Sequence, residues 1–252
     1  MERYDIVYVL KDGIEPSELI YSLRSVERNF PHRHVWFVGG HPDGLYPDGC
    51  LYHVQEGYSK FERAHSSLRK IIECKDISEK FFLFNDDFFV LKPIDTEHFL
   101  NLTNGTLEHR IKTMTELQGQ NGYNLGLEDM RRELISKGYD TMSYSVHIPI
   151  LFDKAILQKV LDEFETPMFR SVYGNVSGLP YAYHKDCKIS SREKIPERGW
   201  DYLSTTETAF NTGKVGEWIR AQFPRPSRFE SADAPAVSEL YTEEGDLLYE
   251  TK

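Results

Sequence analysis

Phe81-Phe82-Leu83-Phe84-Asn85-Asp86-Asp87 decides how this chain is read. Four consecutive apolar residues without polar alternation are the pattern of a short strand covered on both faces, as in a parallel sheet with helices above and below it. The polar triplet then falls at the carboxyl end of that strand, where open α/β sheets place their ligands. Two adjacent carboxylates straight after a buried strand repel each other and lose solvation, so the pair is easiest to keep beside a cation. Asn and Asp are also common turn residues, so the triplet alone reads equally as a strand-end turn.

Working outward, Asp5-Ile6-Val7-Tyr8-Val9-Leu10 is a β-branched and aromatic run that stops at Lys11-Asp12-Gly13, a strand and turn. Leu19, Leu23, Val26 and Phe30 recur at helical spacing between Pro16 and Pro31, and His34 to Val38 followed by Gly39-Gly40 is a second strand. This β-α-β order predicts a mostly parallel central sheet flanked by helices. A short strand is expected at Leu51 to Val54 and a helix at about Lys60 to Cys74. Beyond the triplet, Phe88 to Leu91 continues the apolar character, and 95–102 reads as a short helix. The polar stretch 107–142, with Gln118-Gly119-Gln120-Asn121-Gly122, reads as an inserted, mobile lobe. Tyr144 to Phe152 reads as a strand, Asp153 to Phe164 as a helix capped by Asp153, and Thr206 to Phe223 as mixed helical. One domain over 1–229 is expected, followed by an acidic, disordered tail over 230–252.

Composition narrows the functional classes. The chain has 252 residues with 40% hydrophobic content, enough for a sizeable core without staples. No long apolar run predicts a spanning helix and no secretory signal is visible, so a cytoplasmic location is expected. Cys50, Cys74 and Cys187 are widely spaced and form neither a disulfide framework nor a zinc motif. A net charge of -10 repels polyanions and argues against a dedicated nucleic-acid binder.

Two further residues offer chemistry. His147, in Ser145-Val146-His147-Ile148-Pro149, suits a general base but equally a structural histidine. Arg170 offers a planar fork for phosphate, or an ordinary ion pair. There is no P-loop, GxGxxG, HExxH or GxSxG, so a nucleotide would be held by strand-end loops rather than a glycine cradle.

With these segments in order, the sequence resembles the Stealth family of capsular polysaccharide phosphotransferases and N-acetylglucosamine-1-phosphotransferase catalytic regions. The resemblance runs over roughly residues 4 to 175, about two-thirds of the chain. It rests on Asp5-Ile6-Val7-Tyr8 with Lys11-Asp12-Gly13, on Glu18-Leu19-Ile20-Tyr21-Ser22-Leu23-Arg24-Ser25-Val26-Glu27, on Phe84-Asn85-Asp86-Asp87, and on His147-Ile148-Pro149 ahead of Asp153-Lys154 and Arg170. The chain departs from the family in having Ile150 where a second histidine stands, and in lacking an Asn in Phe61-Glu62-Arg63-Ala64-His65.

The resemblance implies a GT-A-like fold and a transferase that uses a nucleotide-sugar donor. It implies Asp86 and Asp87 as ligands of Mg²⁺ or Mn²⁺, Asp87 also serving catalysis, His147 as base and Arg170 as phosphate ligand. Asp12, Gly13, Arg24 and Asn85 are expected at the nucleotide end. The expected reaction passes a sugar-1-phosphate to an acceptor hydroxyl, of a glycan in the first instance. A glycosyltransferase releasing a nucleoside diphosphate and an inactive sugar-nucleotide-binding module are the rivals.

Overall fold

A computed structural model describes residues 3–166 and 168–232. Its centre is a five-stranded sheet in the order β3-β2-β1-β4-β7, built from β1 (Asp5–Leu10), β2 (Val35–Gly39), β3 (Gly49–Leu51), β4 (Lys80–Phe84) and β7 (Ile150–Asp153). The first four run parallel and β7 is antiparallel to β4. The expected α/β class with a mostly parallel central sheet and flanking helices is what the chain adopts.

Alternation along β1 and β4 shows why both faces are apolar. Ile6, Tyr8, Leu10, Phe82 and Phe84 point toward α1 (Ser17–Asn29) and pack on Leu19, Leu23, Val26 and Phe30. Val7, Phe81 and Leu83 point the other way, into a core with α2 (Lys60–Glu73), α5 (Lys154–Glu163) and α6 (Phe169–Ser177). Each fully buried aromatic on β4 contributes roughly 1.5–3 kcal/mol of burial, so a polar residue at Phe81 or Phe82 would be tolerated on neither face. Caps set the helix starts: Ser59 makes a reciprocal capping box with Glu62 on α2, and the Asp153 carboxylate accepts from the Ala155 and Ile156 amides on α5.

Phe88 to Val90 does not prolong β4. The chain turns at Asn85, whose carbonyl accepts from the Phe88 amide, and β5 (Phe88–Val90) joins a second sheet. That sheet has the order β5-β10-β9, with β10 (Tyr202–Thr205) antiparallel to β5 and parallel to β9 (Lys188–Ile189). The other edge of β5 is held by α1: Ser22 donates to the Phe88 carbonyl, Ser25 accepts from the Val90 amide and Asn29 donates to the Val90 carbonyl. Helices α7 (Glu207–Thr212) and α8 (Lys214–Gln222) cover this sheet through Phe89, Leu203, Phe210 and Ile219.

Three expectations are corrected. Residues 95–102 form no helix: the Asp95 carboxylate accepts the Glu97 and His98 amides in a local turn, and the chain then enters β6 (Asn101–Thr103), paired with β8 (Tyr181–Tyr183). The third strand is Gly49–Leu51, earlier than expected, because its register is set by β2. Residues 144–149 lie outside the ladder and only Ile150–Asp153 pairs. The excursion 107–142 folds as α3 (Leu107–Gln118) and α4 (Gly122–Ser136), with Leu107, Leu127, Met130 and Leu134 in the main core. Its two ends are tied together by Ser143, whose carbonyl accepts from Thr103 Oγ1 and whose amide donates to Gly105. Of the expected tail, 230–232 are described and 233–252 lie outside the described residues.

Candidate functional site

The sheet order makes β1 the point at which connections diverge, since β2 and β3 lie on one side of it and β4 on the other. Ligands of open α/β sheets bind at the carboxyl ends beside such a point. Here β1 delivers Lys11-Asp12-Gly13 and β4 delivers Asn85-Asp86-Asp87. The turn after β1 is closely packed against the end of β2. A Cβ added to Gly40 would lie 2.3 Å from the Lys11 carbonyl oxygen, so only glycine allows the approach, and Gly13 has a φ of 64°, which favours glycine for backbone reasons.

Asp86 and Asp87 are half-buried, and a charged network surrounds them. Asp87 Oδ2 accepts from Lys188 Nζ at 2.7 Å and from Ser204 Oγ at 2.8 Å. Burial, and then the charge of Asp87, push the Asp86 carboxyl above its usual range, against opposing pulls from Lys11 and Lys188. Among the described residues no side chain donates a hydrogen bond to Asp86. Glu18, at the start of α1, is the third acid: it accepts from Thr205 Oγ1, and burial, with Asp87 and Asp86 nearby, raises its carboxyl to about 7.

His147 sits in a tight turn in which the Ile148 amide bonds to the Val146 carbonyl. Its Nδ1 pairs with Asp186 Oδ1 at 2.8 Å. Burial works against the Asp186 carboxylate, but the hydrogen bond and charge of His147 outweigh it and hold Asp186 below the usual carboxylate range. A carboxylate on Nδ1 leaves Nε2 as the proton-accepting nitrogen. Arg170, from α6, donates to the Ile148 carbonyl and lies over the Phe88 ring at 5.8 Å. Burial lowers its guanidinium to about 10, with the charge of Asp87 acting in the opposite sense.

One short segment joins these parts. Asp186 orients His147, Cys187 donates its Sγ hydrogen to the His147 carbonyl, and Lys188 holds Asp87. The Lys188 amide also donates to Asp186 Oδ1. Asp186, Lys188, Ser204 and Glu18 were absent from the sequence-based site. The first two alternate about Cys187 at a strand start and carried no motif, and Glu18 is an ordinary acid in the first turn of a helix.

Of the expected residues, the structure brings Asp86, Asp87 and Arg170 into one electrostatic neighbourhood and ties His147 to it through 186–188. Asp12, Gly13 and Asn85 are exposed at the adjoining strand ends. Arg24 is committed elsewhere. Its Nε and Nη2 grip both Glu230 carboxylate oxygens at 2.9 and 2.7 Å, and Nη1 donates to the Phe223 carbonyl. It also lies about 9 Å further along α1 than Glu18, six residues at the helical rise. In the structure it braces α1 against the Arg228–Glu230 turn.

The one group of three metal-type side chains converging among the described residues is Asp95, Glu97 and His98, all exposed. It is accounted for by the turn that Asp95 caps and by the Asp95–His98 pair at 2.7 Å. No helix among the described residues is long and apolar enough to cross a membrane.

No family model and no curated protein matches the chain. Among solved structures it is similar to a crystal structure of galactosyltransferase LgtC in complex with donor and acceptor sugar analogues, at a TM-score of 0.49 and 11% identity over 88% of this chain and 96% of that one. It is also similar to mouse xyloside xylosyltransferase 1 in its apo form, at a TM-score of 0.38 and 9% identity over 93% of this chain and 99% of that one. At these scores and identities neither activity nor residue roles transfer to this chain.

Proposed function

We propose that this chain is a transferase that takes a nucleotide-sugar donor at the β1/β4 strand ends and passes a sugar-1-phosphate to an acceptor hydroxyl, of a glycan in the first instance. The observation that carries the reading is the joining of a His147–Asp186 pair to an Asp87–Lys188 pair by three consecutive residues. The link supports the reading by connecting the candidate base to the candidate metal-holding carboxylate through 186–188.

Asp86 and Asp87 suit Mg²⁺ or Mn²⁺ by the chemistry of their donor atoms. They are hard carboxylate oxygens, and the Asp86 carboxyl is raised by burial and then by the charge of Asp87, both of which a bound cation would offset. Such ions are commonly held by one or two carboxylates together with water and substrate phosphates. When bound, the ion supplies neutralisation of the donor diphosphate.

In the proposed reaction, His147 Nε2 takes the proton of the acceptor hydroxyl while Asp186 orients the ring and supports its positive charge. The acceptor oxygen forms a bond to the sugar-linked phosphorus, the bridging P–O bond breaks, and its electron pair leaves with the nucleoside monophosphate. Arg170 faces the charge on the transferring phosphoryl group with the guanidinium donors not used by Ile148. Asp12, Gly13 and Asn85 line the rim toward the nucleotide.

The test is a nucleotide-sugar panel with Mg²⁺ or Mn²⁺, read by mass spectrometry for the released nucleotide. Nucleoside monophosphate is expected, with loss of turnover in Asp87→Asn. Release of nucleoside diphosphate would make the reaction glycosyl transfer, and no release from any donor, by transfer or hydrolysis, would leave a binding module.

A further inference from the structure

The side chain that holds Asp87 is a lysine, and this has a consequence for how a cation and a donor would enter. Lys188 Nζ lies 2.7 Å from Asp87 Oδ2 with 28% and 13% of the two side chains exposed, so the pair is largely shielded from solvent. The backbone of Lys188 is fixed independently. It pairs with Ser204 in the ladder and its amide donates to Asp186. Only the flexible four-carbon stem is free to move its charge, as suits an ammonium rather than a planar, bidentate guanidinium. Around it stand three acids, Glu18, Asp86 and Asp87, and both Glu18 and Asp86 feel the Lys188 charge.

Taking the metal reading of Asp86 and Asp87 as its premise, we propose that Lys188 is a resident counter-ion that holds Asp87 until a divalent cation and a diphosphate arrive together, and then exchanges the carboxylate for the diphosphate. The Asp87 oxygen that accepts the ammonium cannot also ligate a dication without placing two positive charges within about 5 Å of each other, given the ligand distance of a small hard cation. The cation therefore competes with Lys188 for Asp87. Once displaced, the ammonium needs an anion within reach of its stem, and the donor diphosphate supplies one. Cation and donor thus favour each other's binding, and by linkage the coupling is reciprocal.

The 252-residue chain and its Lys188→Met and Lys188→Arg variants are titrated with Mn²⁺ alone, following free Mn²⁺ by electron paramagnetic resonance. They are then titrated with inorganic pyrophosphate at saturating Mn²⁺. Lys188→Met is expected to bind Mn²⁺ alone roughly tenfold more tightly than the parent, the effect of a pair interaction of about 1.4 kcal/mol. It is expected to bind pyrophosphate more weakly by a similar factor. Lys188→Arg keeps the charge and should leave Mn²⁺ affinity near the parent value, and melting curves verify that each variant folds. Unchanged Mn²⁺ affinity in a folded Lys188→Met, with Asp87→Asn still weakening Mn²⁺ binding, overturns the exchange while leaving the metal reading in place. Absence of Mn²⁺ binding by parent and variants alike, with or without pyrophosphate, overturns the metal reading and the exchange with it.

Discussion

At the scale of single residues, Glu18 and Asp186 show one physics acting in opposite senses. Glu18 is buried and Asp186 half-buried, and each accepts a hydrogen bond from a side chain, yet Glu18 faces two other acids and Asp186 faces an imidazole. Glu18 ionises at about 7 in the folded chain against an ordinary value of 4.5. The folded state therefore binds the proton more tightly than the unfolded one. Stability from this group is present in full below about pH 4.5 and is lost as pH rises through about 7. Glu18→Gln should gain stability relative to the parent at pH 8, on the order of 1–2 kcal/mol after allowance for solvent screening, and little at pH 4.5. Thermal melts at the two pH values in chelator check this, and an equal shift at both would remove the charge argument. For Asp186, replacement by Asn keeps the shape but allows the amide to present its N–H to Nδ1, favouring the wrong tautomer. Turnover should fall by about 10²–10⁴-fold in both Asp186→Asn and His147→Ala, with donor KM little changed. A fall in donor affinity equal to that in turnover would make the pair a structural one.

At the scale of elements, the site depends on how tightly strand ends pack. The Lys11-Asp12-Gly13 turn rests against Gly40, where an added methyl group would meet the Lys11 carbonyl at 2.3 Å. Gly40→Ala should displace the turn, costing about 1–3 kcal/mol, and should raise donor KM several-fold because Asp12 and Gly13 move with it. A lowered melting temperature with unchanged donor KM would remove the turn from the donor site. The central strands were legible from their uninterrupted apolar runs: Ile6 to Leu10 and Phe81 to Phe84 are apolar on both faces, and only a covered strand tolerates that. So was the acidic strand end, and so was the cap Asp153. The second sheet was not. Phe88 to Val90 reads as a continuation of β4, and its true neighbours are β10, more than a hundred residues later, and the hydroxyls and amide of Ser22, Ser25 and Asn29. Polar residues facing a helix's packed side mark such pairing only once the partner is known. Lys188 and Asp186 escaped for the same reason, since their roles come from cross-chain distances rather than spacing. The Arg24–Glu230 pair was equally illegible, because the two residues lie 206 positions apart.

At the scale of the whole molecule, the turn Arg228–Glu230 closes the fold on itself. Phe229 is fully buried in the α1-side core, its carbonyl accepts from the Tyr46 amide, Glu230 grips Arg24, and Arg228 forms a two-pronged pair with Asp48. Asp48 in turn accepts from the Val35 amide at the start of β2. The Arg228 and Asp48 side chains are 7% and 8% exposed, so removing Asp48 takes a two-pronged carboxylate away from a guanidinium that is largely shielded from solvent. Asp48→Ala should cost about 3–5 kcal/mol, whereas Asp162→Ala, which breaks the exposed Arg69–Asp162 pair at the far side of α2, should cost under about 1 kcal/mol. Urea unfolding checks both through the midpoint, and similar losses in the two would mean that the clasp is no stronger than a surface pair. The clasp also orders events during synthesis. While the ribosome is still short of Ser227, β1, α1 and β2 are already made, but the seat of Phe229 stands open and Arg24 and Asp48 await their partners. Nascent chains at that stage should be protease-sensitive and chaperone-dependent, and native folding should be completed only once a segment 180 to 206 positions from Asp48 and Arg24 has been made, a high-contact-order and therefore slow closure.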